Sequence, residues 1–228
     1  MSRTARARTA AAPRLAPPAA SSRGGRRRSR PLESGSSAPT SERPSTRESI
    51  MKAAVELFAE RGFHGVAVPE VAQRAGVATG SIYRHFPSKE ALANALYQHW
   101  RGEQLRASFQ DFPVGQGHRA QFKEAWMRLA RFYAENPTAY AFLELHNHNS
   151  YLDDESREAA QRVLDPTLEF LAAAAKEKVV KNLPPRLLLA IANGAFLGIV
   201  KFGASNHFKL SPAVLEAAEQ CCWEALRA

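Results

Sequence analysis

From residue 45 to the end, the apolar residues of this chain recur at three- and four-residue intervals, and no stretch alternates apolar with polar long enough to argue for a strand. That periodicity confines the chain to an all-α fold. Ser45 followed three residues later by Glu48 has the spacing of a capping box, in which each side chain satisfies an orphan amide at the start of a helix. Ile50, Ala53, Ala54, Leu57 and Phe58 then share one face up to about residue 61, and Gly62 supplies the stop. Pro69 suits the first turn of a short second helix, whose buried stripe is Val71, Ala72 and Ala75 and whose end is Gly76. A third short helix fits residues 79–86, after which Pro87 and Ser88 open a long fourth helix beginning at Lys89. Breaks at Pro113 with Gly115 and Gly117, at Asn136 and Pro137, at residues 150–154, at Pro184 and Pro185, and at Ser211 and Pro212 divide the rest into longer helices, about nine in all. No fixed-period repeat suggests a solenoid.

Residues 1–44 are different in kind. They hold six of the fourteen prolines and, beyond Leu15 and Leu32, almost no large apolar side chain, too little to offset the entropy of ordering them. The expected state is a disordered Arg/Pro/Ala-rich arm. Residues 1–47 carry eleven Arg and two Glu, which is the chain's whole net charge of +9; the other 181 residues sum to zero. The run Arg23, Arg26, Arg27, Arg28, Arg30 suits salt-sensitive, sequence-blind contact with DNA phosphates, although a solvated tail without a role has the same composition. An organelle transit peptide fits less well, since the prolines would break its amphipathic helix.

Two adjacent cysteines, Cys221 and Cys222, cannot form a disulfide framework and suit a reducing, cytoplasmic setting. The longest apolar stretch, Leu187 to Val200, is interrupted by Asn193 and Gly194 and is shorter than the roughly 20 residues of a membrane span, so a buried helix and no membrane partner are expected. No apolar signal core follows Met1, and secretion is not expected.

Two short helices around a turn at Gly76 and Val77, the second bearing small polar and basic side chains, match helix-turn-helix geometry with a recognition helix for the major groove. The text "ESIMKAAVELFAERGF", followed by "VAQRAGVATGSIYRHFPSKEAL", resembles the DNA-binding domain of the tetracycline-repressor (TetR-like) family across residues 47–96. The resemblance implies a three-helix DNA-binding domain over residues 45–100, including the start of linking helix four, and a helical ligand-binding and dimerisation domain over 101–228. It implies DNA contacts by position: Thr79, Gly80, Arg84 and His85 toward base edges, and Ser81, Tyr83 and Lys89 toward phosphates. Physical chemistry supports the assignment, because hydroxyls and an ammonium hold phosphate oxygens while an Arg can fork onto guanine. For Tyr83 the competing reading is packing between helices one and three.

The sequence departs from the family where Ala67, Val68 and Ala78 replace expected capping hydroxyls; Thr79 is a candidate substitute cap. Residues 48–100 carry five basic and five acidic side chains, so the arm is expected to supply non-specific affinity.

In the second domain, aromatics at helical spacing suggest either ordinary core or an apolar cavity, and Trp126, Phe142, His146 and Phe170 are the candidate ligand-lining residues. His146 and His148 lie two apart and do not share a helical face, which disfavours a metal site. No catalytic constellation, phosphate-cradling loop or cofactor motif is present, so neither an enzyme nor a cofactor is expected. Helices eight and nine, about residues 185–205 and 211–227, are apolar and rich in small residues, and the resemblance implies a homodimer formed through them. The leading expectation is a homodimeric repressor, released from a palindromic DNA operator by a small apolar or amphipathic effector. Alternatives are a ligand-independent DNA-architectural protein and a metal- or redox-sensing regulator.

Overall fold

Ser45 Oγ accepts the Glu48 amide at 3.2 Å while Glu48 Oε2 accepts the Ser45 amide at 2.8 Å, so the expected capping box opens the first helix, α1 (Thr46–Arg61). The computed structural model describes residues 44–205 and 208–228, and the expected arm over residues 1–44 therefore lies, apart from Pro44, outside the described residues. Eight further helices follow: α2 (Val68–Ala75), α3 (Thr79–His85), α4 (Lys89–Phe109), α5 (His118–Glu135), α6 (Pro137–Leu145), α7 (Asp154–Lys176), α8 (Pro185–Ala204) and α9 (Pro212–Leu226). Among the described residues the fold is all α. One isolated antiparallel bridge, Val180 with Arg227, ties the end of the chain to the segment after α7.

All five apolar residues expected on one face of α1 are buried, but Met51 and Val55 are buried too. The helix is enclosed on two sides because it packs both on α2 to α4 and on α6. Phe58 stacks on Phe142 of α6 with centroids 6.1 Å apart, and the Phe63 ring stacks on Tyr151 at 4.1 Å. The sequence-based boundary at residue 100 falls inside α4, a single 21-residue helix.

Polar residues fasten α7 to α4. Asn94, almost fully buried, donates to the carbonyls of Glu90 and Tyr151 and accepts from the Asp153 amide and the Ser156 hydroxyl. Asp153 caps α7 through the Ser156 amide at 2.8 Å. Further on, α7 runs through Pro166, which removes one helical hydrogen bond without ending the helix.

The expectation of a buried α8 requires correction. Only Leu188, Phe196 and Val200 of its 20 residues are buried, while Leu187 and Ile191 are 46% and 39% exposed. Apolar composition marks a face for burial, but within one chain α8 packs mainly on α7 and α9, with Phe196 also against Trp126 of α5 and Tyr140 of α6, and its remaining face is left uncovered. At 20 residues and mean hydropathy 1.8, α8 is also long and apolar enough to cross a membrane, contrary to the length argument from sequence.

Candidate nucleic-acid interface and buried cavity

The turn between α2 and α3 is set by Gly76, whose φ of +68° is the left-handed conformation glycine adopts without a Cβ penalty. Neither α2 nor α3 has a side-chain cap. Ala67 and Ala78 occupy the two positions, so the expectation that Thr79 substitutes as a cap is overturned: Thr79 is already the first residue of α3, which starts without a side-chain cap hydrogen bond. Glu70 offsets part of the loss by accepting the Ala67 amide at 2.7 Å and the Arg61 guanidinium at 2.8 Å; these contacts hold its carboxyl below the usual range.

Ile82 and Phe86 face inward from α3, which turns the intervening residues outward. Tyr83 is 51% exposed, Arg84 and His85 are exposed, and Thr79 and Ser81 are half-buried. The exposure of Tyr83 overturns the packing alternative. Arg84 donates to Ser81 Oγ at 3.0 Å, so guanidinium and hydroxyl are held together on one turn. At Gly80 an added Cβ would meet no protein atom within 4 Å; the fold itself does not require glycine there. Lys89 starts α4, its ammonium 4.2 Å over the Phe63 ring. All seven candidate DNA contacts therefore lie on α3 or at the start of α4.

The domain's charges are neutral by count but not evenly spread. Arg61 pairs with Glu70, and Arg74 with Glu56 and Glu60, while Arg84 and Lys89 make no ion pair among the described residues. Positive charge is left on the α3 side.

A second feature is a partly open cavity of about 280 Å³ lined by α4, α5, α6, α7 and α8. Of the four residues nominated from sequence, Trp126 and Phe170 line it. Phe142 and His146 do not, and are corrected: Phe142 turns to Phe58, and His146, just after α6, places Nε2 2.9 Å from the Ala59 carbonyl of α1. Helical spacing identified the buried face of α6 but not its neighbour. Trp126 is fixed by its indole N–H, which donates to the Leu215 carbonyl at 3.1 Å.

The cavity also holds polar residues that the sequence reading did not single out. Tyr97, Arg101, Gln104 and Ser108 form one stripe of α4, and Glu144 faces them from α6. Arg101 donates to Glu144 at 2.6 Å and to Gln104 at 2.7 Å, with its guanidinium carbon 4.9 Å from the Tyr97 ring centre. Burial opposes the Arg101 charge, yet Glu144 and Tyr97 raise its pKa above the ordinary value. The legible signal was the spacing: residues 94, 97, 101, 104 and 108 recur at alternating steps of three and four, yet are polar or amphipathic.

His148 is buried against Tyr97, Phe142 and Tyr151, and its Nδ1 pairs with the Tyr151 hydroxyl. Burial lowers its pKa. The described residues contain no group of three or more His, Cys, Asp or Glu placed to hold a metal ion. Cys221 is exposed on α9, whereas Cys222 is buried and its thiol is pushed up to about 11, first by burial.

The description "Bacterial regulatory proteins, tetR family" matches residues 50–96, and "Tetracyclin repressor-like, C-terminal domain" matches residues 103–228, more than half the chain. The chain is 26% identical over 188 residues to the "Probable acrEF/envCD operon repressor" of Escherichia coli K12, covering 75% of this chain and 84% of that one. Among solved structures, a TetR family transcription regulator from Marinobacter aquaeolei superposes with a TM-score of 0.70 at 21% identity, covering 80% of this chain and 95% of the other. The fatty acid degradation regulator FadR of Bacillus halodurans does so with a TM-score of 0.64 at 21% identity, covering 80% and 96%. These likenesses agree with the helix-turn-helix and the helical domain behind it: the chain belongs to the tetR family of bacterial regulatory proteins and is a DNA-binding transcriptional regulator, not an enzyme.

Proposed function

We propose that the protein is a cytoplasmic homodimeric repressor that holds a palindromic operator and is released when a small apolar or amphipathic molecule enters the cavity. The observation that carries this reading is α4. Its first residue, Lys89, lies beside the exposed α3, and its later turns, from Tyr97 to Phe109, form one wall of the cavity. Anything that displaces this wall acts on the same rigid helix that supports the DNA-facing end. A ligand does so only by binding the released conformation more tightly than the DNA-bound one.

Dimerisation follows from the exposed apolar face of α8. Leu187 and Ile191 on that face, with Gly194 and Gly198 a turn or two beyond, suit close approach of a symmetry-related α8. A second copy covers this face in the proposed reading, rather than lipid. Two recognition helices related by a twofold axis suit half-sites about one helical turn apart, roughly 34 Å. Direct readout is assigned to Arg84, with Thr79, Gly80 and His85 near base edges and Ser81, Tyr83 and Lys89 on phosphates.

The test is a salt-titrated mobility shift with DNA flanking the protein's own gene, using the full chain, Arg84→Ala, and a form lacking residues 1–44. Saturable, competitor-resistant binding that is lost on Arg84→Ala supports the reading. Binding that ignores sequence and disappears with the arm supports the architectural alternative instead. A reporter gene behind the same DNA gives the sign of regulation.

A further inference from the structure

The cavity's lining contains only two charged side chains, Arg101 and Glu144, and they neutralise each other at 2.6 Å. The rest of its wall is neutral, with Trp126, Phe170 and Phe196 supplying large apolar surface. A ligand bearing a full charge would therefore enter a site with no unspent counter-charge, beside a like charge that is already partly buried.

The polar end is nevertheless incompletely paired. Gln104 is 6% exposed; its carbonyl oxygen accepts from Arg101, but its amide nitrogen has no hydrogen-bond partner among the described residues. Arg101 Nε is buried and also lacks one. Glu144 uses Oε1 for Arg101, and no hydrogen bond among the described residues reaches its Oε2. Donors without acceptors and an acceptor without a donor thus stand together at one end of an apolar chamber. Of these only Arg101 Nε is fully buried; the Gln104 nitrogen and Glu144 Oε2 keep contact with solvent, where a matching ligand group can take the place of water.

Resting on the effector-cavity reading above, we propose that the cavity selects an uncharged amphipathic molecule whose terminal group both donates and accepts hydrogen bonds, a primary amide being the simplest. Its carbonyl accepts from Gln104 Nε2, its N–H donates to Glu144 Oε2, and its apolar body lies against Trp126, Phe170 and Phe196. A carboxylate meets Glu144 as a repelling neighbour, and an ammonium meets Arg101 in the same way. Glu144 and Gln104 are thereby specificity-determining residues for the effector.

Three probes with one body and three charge states test this: decanamide, decanoate and decylammonium, each titrated calorimetrically into the full-length protein at neutral pH. Decanamide is expected to bind about tenfold or more tightly than either ion, the least that an uncompensated charge in such a site costs. Glu144→Gln, nearly isosteric, leaves Arg101 without its counter-charge, so the variant is expected to shift preference toward decanoate by a similar factor. Equal or tighter binding of decanoate or decylammonium by the unaltered protein overturns the neutral-effector proposal while leaving the cavity as a ligand site. Absence of binding by all three overturns the cavity reading itself, and the proposal with it.

Discussion

His146 and Ala59 join the two halves of the molecule: the imidazole Nε2 lies 2.9 Å from the Ala59 carbonyl, in the last turn of α1. That carbonyl is among the four a helix leaves without an internal partner, so a side chain from the residue that follows α6 satisfies it. Removing the ring by His146→Ala is expected to cost about 1 kcal/mol in urea unfolding. It also loosens α6 from α1, so the factor by which effector weakens operator binding should shrink in a mobility shift. An unchanged factor would remove this contact from the coupling route.

Arg84 is exposed, and its hydrogen bond among the described residues is to Ser81 on its own helix. Arg84→Ala should leave thermal stability within about 0.5 kcal/mol of the parent. Operator affinity is expected to fall by about 1 to 3 kcal/mol, while affinity for unrelated duplex falls much less. Fluorescence-anisotropy titrations on both duplexes measure the two changes together.

Asn94 makes four hydrogen bonds from one buried amide, two from Nδ2 and two to Oδ1. Asn94→Ala strands the Tyr151 carbonyl and the Asp153 amide, and is expected to destabilise the fold by about 2 to 3 kcal/mol. Asn94→Asp keeps the acceptor but replaces the donor to Glu90 and Tyr151 by a buried carboxylate oxygen facing two carbonyls, so it should not rescue this loss at neutral pH. Denaturant midpoints of the three proteins settle the order.

Which side chains of α3 face outward was legible in the sequence because helix-turn-helix information is local: the Gly76 turn and the Ile82/Phe86 spacing fix them. The same local pattern could not say that Ala78, not Thr79, holds the cap position. Cavity residues were only half legible. Trp126 and Phe142 have the same kind of spacing, yet one meets the cavity and the other meets Phe58, a choice made by how α6 lies across α1. For α8 the composition demanded burial but could not tell an internal neighbour from an external one. Arg101, Gln104 and Glu144 went unnoticed because a charged or amide residue on a helix is usually a solvated one.

Ile191 tests the external neighbour. It is 39% exposed in the single chain, so Ile191→Glu should not disturb the chain's own packing. Across a twofold contact it buries a carboxylate among apolar side chains, which costs several kcal/mol. Sedimentation velocity is expected to show monomers with full helix content and weakened operator binding. A dimer that persists would move the interface elsewhere.

His148 gives the fold a pH dependence of definite sign. Burial among Tyr97, Phe142 and Tyr151, with Arg101 and His146 as nearby charges, holds its pKa below the ordinary 6.5. The unfolded chain takes up the proton first, so this stability is complete above 6.5 and is lost as pH falls toward the folded value. Asp153 acts in the same direction but only below its own ordinary 3.8. Urea midpoints between about pH 7.5 and pH 5.5 should therefore fall, and His148→Gln should flatten that slope.

The central claim is that cavity and operator communicate through α4, and reciprocity tests it most directly. Decanamide affinity is measured by tryptophan fluorescence for the free protein and for the protein saturated with its operator duplex, Trp126 reporting from the cavity wall. Coupling through α4 requires the DNA-bound form to bind decanamide about fivefold or more weakly, matching the loss of operator affinity at saturating decanamide. Equal decanamide affinities with and without operator would contradict it.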